Sequence, residues 1–126
     1  DLTICCPTDY LPDPEWVRLG NGRVKFEQNP TEAVAGAKVI TTDVWASMGQ
    51  ETEVINRRNA FQDFQITPEL LDQADPEVKL FHCLPAHEGE EISKSLFDDP
   101  RTASVWQQAG NRLHAQKALI EYLITR

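Results

Sequence analysis

The stretch LFHCLPAHEGEE, residues 80–91, sets His82, Cys83 and His87 within six positions, directly after a short apolar run. Residues of these types can do three kinds of chemistry. They can ligate a metal, the thiol can attack as a nucleophile with an imidazole as base, or the thiol and backbone of the loop can receive a substrate. Neighbours at a strand end project to opposite faces, so His82 and Cys83 are badly placed to share one ion. Neither a Cys-x-x-Cys pair nor a His-Glu-x-x-His helix is present, and no metal is expected. A lone cysteine beside a histidine is a weak nucleophile signature; on spacing alone a small residue buried at a strand end is the stronger reading of Cys83, and the strand-end position narrows the gap.

Two further stretches carry usable groups. TTDVWASMGQE, residues 41–51, holds Asp43, Ser47, Met48 and Gly49. A carboxylate there can hold a cationic amino group, while Ser47 and exposed N–H groups can hold a carboxylate, together the needs of an amino acid ligand. The structural alternative is a helix start, with Ser47 as cap and Gln50 as its partner three residues on. GNRLHAQKAL places Arg112 near the predicted start of the last helix, where a guanidinium and the helix dipole would both favour an anion. The plain alternative is a solvated arginine, and Arg57, Arg58 and Lys117 read as surface charges.

The elements that must position these groups alternate between strand and helix. LTICCP is a strand ended by Pro7, and DPEWVRLG a helix with an Asp13 cap, Pro14 in its first turn and Gly20 at its end. VKFE is a second strand, NPTEAVAGA a short helix, KVITTDVW a third strand, QETEVINRRNAF a helix, and TPELLDQA a helix capped by Thr67. KLFHC is the fourth strand. A short helix near 92–97, a turn at DDPRTAS and a long helix from about Gln107 to Ile124 follow, the last with a stripe of Leu113, Leu119, Ile120, Leu123 and Ile124. This order predicts an α/β fold, a parallel doubly wound sheet flanked by helices. In such sheets ligands lie beyond the carboxyl ends of the strands, where the Asp43 and Cys83 loops fall.

Composition bounds the partners. The chain of 126 residues has a net charge of −8 and a pI near 4.8, which argues against nucleic acid as a partner. No window reaches the roughly 18 apolar residues of a membrane span. Three cysteines, two of them adjacent, fit a reducing cytoplasm better than a disulfide framework.

Taken together, TTDVWASMGQE, LFHCLPAHEGEE and DDPRTASVWQQAGNRLHAQKAL, in this order and at these separations, closely resemble the carboxyl-terminal, ornithine-binding half of ornithine carbamoyltransferases. The resemblance covers nearly the whole chain and gives one domain over 1–126. Cys83 is part of it, because aspartate carbamoyltransferases carry Pro there. It implies a Rossmann-like fold and transfer of a carbamoyl group from carbamoyl phosphate to the δ-amino group of L-ornithine, giving citrulline and phosphate, with no cofactor. By motif match Asp43 would bind the α-amino group, with Ser47 and Met48 fixing the amino acid end. Cys83 would face the δ-amino group as a polar partner and not as a covalent nucleophile. The backbone at Cys83 and Leu84, with Arg112, would hold the carbamoyl oxygen and stabilise charge in the tetrahedral transition state. His82 would shape the loop and Pro85 would stiffen it.

The chain also departs from that family pattern. Many relatives read His-Arg-Gly-Glu where this chain has His87, Glu88, Gly89 and Glu90, and Gly110 stands where a Glu commonly precedes the Asn-Arg pair. The Ser-x-Arg-Thr phosphate loop and His-Pro-x-Gln segment of the family's amino-terminal domain do not occur, nor does the first strand-helix unit of the ornithine domain. The 126 residues are therefore expected to be inactive alone and to need that domain as partner, in an enzyme that is a homotrimer in its family. An exposed sheet edge could also self-associate. The competing readings are a non-catalytic domain that binds amino acid weakly or serves assembly, and a putrescine carbamoyltransferase, although a diamine has no carboxylate for the Ser-Met-Gly loop.

Overall fold

The computed structural model describes residues 1–46 and 53–126. Four short parallel strands alternate with helices: β1 (Leu2–Cys5), α1 (Pro14–Leu19), β2 (Val24–Glu27), α2 (Pro30–Val34), β3 (Val39–Thr42), α3 (Val54–Phe61), α4 (Pro68–Leu71), β4 (Lys79–His82) and α5 (Ala103–Ile124). The α/β class follows from this order, because parallel neighbours need a crossover, and helices supply it.

The helix starts are set locally. Asp13 accepts from the Glu15 N–H at 2.8 Å and Asn29 from the Thr31 N–H at 3.0 Å, each ahead of a proline at the first helical position. Thr67 does the same for α4, accepting from the Leu70 N–H at 3.2 Å. In each case the proline lacks only an N–H that would have had no partner in the first turn.

The strands pair as two separate ladders. β1 lies beside β2 with Leu2 opposite Val24, and β3 beside β4 with Ile40 opposite Leu80. Between them, β1 and β3 line a cavity of about 1170 Å³. Leu2 and Val39 on its walls are 52% and 54% exposed, unlike central strands of parallel sheets, which are covered on both faces. The core therefore sits under the second ladder: Ile40, Leu80, Leu71, Val78, Ile92, Leu96 and Val105 form one buried cluster, with Leu80 and Leu96 fully enclosed.

Two elements differ from the pattern read in the sequence. The segment near 92–97 is a 3-10 helix over Lys94–Asp98. The last helix starts at Ala103, four residues before the predicted Gln107, because Asp99 caps a 3-10 turn (Pro100–Thr102) that runs straight into it. The stripe of Leu113, Leu119, Ile120, Leu123 and Ile124 is present but exposed, each at 57% or more.

Candidate functional site

The site is built where β4 ends and α5 passes over it. Four residues of helix advance about 6 Å and two residues of strand about 6.6 Å, so one helix face can follow alternate strand residues. Ser104 and Gln108 use that match. The Ser104 hydroxyl donates to the Leu80 carbonyl at 2.9 Å, and the Gln108 side-chain oxygen accepts the His82 N–H at 3.0 Å. The next residue on the same face is Arg112, which lines a cleft of about 530 Å³ with Cys83, Leu84, Trp106 and Ala109.

Below the loop His82 and Glu91 are completely buried, with 3.0 Å between His82 Nε2 and Glu91 Oε1. The same carboxylate oxygen accepts the His87 N–H at 2.7 Å, while His82 Nδ1 accepts the Leu84 N–H at 2.8 Å. A ring nitrogen that accepts carries no proton, so His82 is the neutral Nε2–H tautomer. Leu84 has φ of 55°, a left-handed conformation that costs a leucine energy unless its surroundings hold it. Glu91 is itself seated by β-type contacts: Ile66 N–H donates to its carbonyl at 2.9 Å, and Ser93 N–H to the Ile66 carbonyl at 2.9 Å.

Above the loop, Cys83 is exposed and its thiol donates to Asp43 Oδ1 at 3.0 Å. That bond, followed by partial burial and the charge of Asp43, pushes the Cys83 thiol above its ordinary pKa. Cys83 is thus held protonated as a donor, the opposite of what a thiolate nucleophile needs. Asp43 also accepts the Val44 N–H at 2.7 Å and stands on the wall of the larger cavity with Trp45 and Arg57. Its bond to Cys83 therefore links the wall of the larger cavity to the cleft that Cys83 and Arg112 line.

The fold brings together Asp43, Cys83, Leu84 and Arg112 from three separate segments. Ser47 and Met48 lie outside the described residues. Arg112 stands more than two turns into α5, not near its start, so the helix dipole adds little there and its guanidinium must act through its own charge. The Leu84 N–H, taken by His82, is not free to hold a carbamoyl oxygen. Since the peptide is planar and trans, the Cys83 carbonyl points the opposite way, away from the imidazole.

Three residues with structural claims on the site were not singled out as such in the sequence: Glu91, Gln108 and Arg57. Gln108 had a signal, its spacing of four from both Ser104 and Arg112. Arg57 is not a free surface charge: it bonds Glu53 at 3.0 Å and lies 5.0 Å from the Tyr10 ring centroid. Glu91 had none, since nothing in EGEE tells the buried glutamate from the exposed Glu88 or the half-buried Glu90. Donor atoms of His87, Glu90 and Glu91 lie within 4.8 Å of one another. Glu90 is already paired with Arg58, and one oxygen of Glu91 with two donors, so the cluster reads as a charge-compensated turn. Glu88, the acidic departure, is 3.5 Å from Lys94.

Residues 1–123 match the family described as aspartate/ornithine carbamoyltransferase, Asp/Orn binding domain. Ornithine carbamoyltransferase of Chromohalobacter salexigens is 58% identical over 123 residues, and the anabolic enzyme of Pseudomonas aeruginosa is 54% identical, each match covering 98% of this chain. The chain spans 40% of the length of each of these relatives. Among solved structures, anabolic ornithine carbamoyltransferase from Campylobacter jejuni superposes with a TM-score of 0.86 at 30% identity, covering 98% of this chain and 43% of that one. The Pyrococcus furiosus enzyme gives 0.82 at 42% identity, covering 95% and 40%.

Proposed function

The chain belongs to the aspartate/ornithine carbamoyltransferase family, and on that premise we propose that it is the amino-acid-binding part of an ornithine carbamoyltransferase. In the proposed reaction the neutral δ-amine of L-ornithine attacks the carbonyl carbon of carbamoyl phosphate. The new C–N bond replaces the C–O bond to phosphate, the proton lost by the amine passes to the departing phosphate, and citrulline and hydrogen phosphate leave. The observation that carries this reading is the meeting of Asp43, Cys83 and Arg112 around one loop, with Cys83 bonded to Asp43 and sharing a cleft with Arg112.

Asp43 takes the α-ammonium group, with Ser47 and Met48 at the amino acid end. An ammonium arriving at Asp43 displaces the thiol of Cys83, which then faces the δ-amine. Arg112 neutralises charge that builds on the carbamoyl oxygen, and the carbonyls of Cys83 and Leu84 accept from the carbamoyl NH₂. Phosphate binding comes from polypeptide outside residues 1–126, the amino-terminal carbamoyl-phosphate domain, and the complete enzyme is a cytoplasmic homotrimer. The strand-helix unit absent from this chain fills the cavity between β1 and β3; their half-exposed apolar residues support that assignment. Among the described residues no helix is long and apolar enough to cross a membrane.

The test is citrulline formation by this chain alone, and by this chain mixed with the part of the Chromohalobacter salexigens relative that lies outside the matched region. Activity only in the mixture, lost in Asp43→Ala and Arg112→Ala, is expected. A folded, associated mixture that forms no citrulline would instead favour a non-catalytic domain. Turnover of putrescine as fast as ornithine would replace the substrate.

A further inference from the structure

The cleft side of the Cys83–Leu84 loop is shaped from underneath, by two side chains that never reach the cleft. We propose that His82 and Glu91 are positioning residues for the carbamoyl-binding backbone: Glu91 fixes the tautomer of His82, and His82 in turn fixes which way the Cys83–Leu84 peptide faces. The functional half of this proposal rests on the carbamoyltransferase reading above, and the geometric half does not.

The chain of cause begins with Glu91. Its Oε1 accepts at 3.0 Å from His82 Nε2 and at 2.7 Å from the His87 N–H, inside a site with no solvent access to either side chain. A buried carboxylate needs donors, so the imidazole proton is drawn to Nε2 and Nδ1 is left with a lone pair. The Leu84 N–H donates to that lone pair at 2.8 Å. With the N–H turned inward, the carbonyl on the other side of the same planar peptide is turned outward. If the proton sat on Nδ1, that ring N–H would meet the Leu84 N–H head-on. The peptide would then have to rotate, swinging the Cys83 carbonyl away from its present direction.

Two more observations show that the lock is braced. The His82 backbone is held from the opposite side by Gln108 Oε1 at 3.0 Å, so the ring cannot follow the loop by moving the strand end. The turn carrying Glu91 is clamped by Gln65, whose Nε2 donates to the Gly89 carbonyl at 2.8 Å and to the Glu90 carbonyl at 2.6 Å.

The geometric half is tested on this chain by nitrogen-15 NMR of the histidine side chains together with amide exchange at Leu84. The wild type is expected to show His82 as a single Nε2–H tautomer and a protected Leu84 amide. Glu91→Gln keeps an acceptor oxygen and should retain both. Glu91→Ala should give mixed tautomers and a Leu84 amide exchanging at least tenfold faster. An Nδ1–H tautomer in the wild type, or a Leu84 amide indifferent to Glu91→Ala, would overturn the lock.

The functional half is read in the complemented mixture. Because the backbone serves the carbamoyl group and Asp43 serves ornithine, Glu91→Ala should lower kcat by about tenfold or more, as misplacements of about 1 Å do, with KM for ornithine within twofold. Glu91→Gln should restore kcat. Val24→Ala, on the first ladder and outside the core cluster against which Leu84 packs, controls for lost stability and should leave kcat per folded molecule unchanged. Equal losses in Glu91→Gln and Glu91→Ala, or a kcat unaffected by either, would overturn the positioning role. If the wild-type mixture makes no citrulline, the carbamoyltransferase reading fails while the NMR result still decides the lock.

Discussion

Cys83 Sγ lies 3.0 Å from Asp43 Oδ1, a bond between two loops 40 positions apart in sequence. Each loop follows a parallel strand, β3 for Asp43 and β4 for Cys83, and those strands run in register with Thr42 opposite His82. The next residue on each strand end is therefore brought level with its neighbour. The bond joins the residue proposed to hold the α-amino group to the one proposed to face the δ-amino group.

Asp43→Ala should make Cys83 more reactive. The carboxylate raises the thiol pKa by accepting its proton and by its charge, so removing it lowers that pKa and increases the thiolate fraction. Alkylation by iodoacetamide at pH 8, followed residue by residue in mass spectrometry, should accelerate several-fold at Cys83 and stay the same at Cys5 and Cys6. An unchanged Cys83 rate would mean that the bond does not form in solution.

Stability should fall in mildly alkaline solution because of Cys5. Burial, the adjacent Cys6 and Glu27 push its thiol up to about 11 from an ordinary 9.0. The folded state thus holds a proton that the unfolded chain releases, and its contribution is intact below pH 9 and lost as pH rises toward 11. The urea midpoint should drop between pH 8.5 and 10.5 in the wild type and drop less in Cys5→Ala. Parallel curves for the two proteins would remove Cys5 as the cause.

Gly110→Ala should stabilise the protein by about 0.5–1 kcal/mol, the ordinary cost of glycine inside a helix. Gly110 sits in the middle of α5 and an added Cβ would meet nothing within 4 Å. Helicity by circular dichroism and the thermal midpoint should both rise. A fall in either would show that the position needs a conformation alanine resists.

Arg101 ties the start of α5 to the rest of the domain. Its Nε and Nη2 bond the two oxygens of Asp99 at 3.0 and 2.7 Å, and Nη1 reaches Asp72 at 2.6 Å. Arg101→Ala should cost about 1–3 kcal/mol in urea unfolding, in the range of hydrogen bonds to charged groups. The pairing holds the Asp99 carboxyl below the usual carboxylate range. Its contribution is therefore complete above the ordinary carboxylate pKa and lost as pH falls through the lowered one. The wild type should lose stability on acidification more steeply than Arg101→Ala.

Local chemistry made much of this protein legible from its sequence. Asp13–Pro14, Asn29–Pro30 and Thr67–Pro68 each announce a helix start because cap and proline act within four residues. Alternation of strand and helix gives the parallel α/β class, and the strand-end rule points to the Asp43 and Cys83 loops before any contact is known. The same local logic misplaced the start of α5. DDPRTAS has the composition of a turn, but Asp99 and Pro100 begin a 3-10 turn that leads into the helix without a break.

What only the tertiary structure decided depends on partners far apart in the chain. Glu88, Glu90 and Glu91 are equivalent in sequence, yet the first is exposed beside Lys94, the second is paired with Arg58, and the third is sealed against His82. The distinction comes from β-type bonds to Ile66 that turn Glu91 inward. The same dependence on distant partners governs α5. Periodicity finds its apolar stripe, but whether a stripe is buried depends on what packs against it, and here the residues from Leu113 onward stay exposed while Ser104 and Gln108 join the helix to β4. Sequence fixes the propensities of neighbours, which interact over a few residues. Burial and hydrogen-bond partnership depend on positions tens of residues apart, and only the folded chain brings those together.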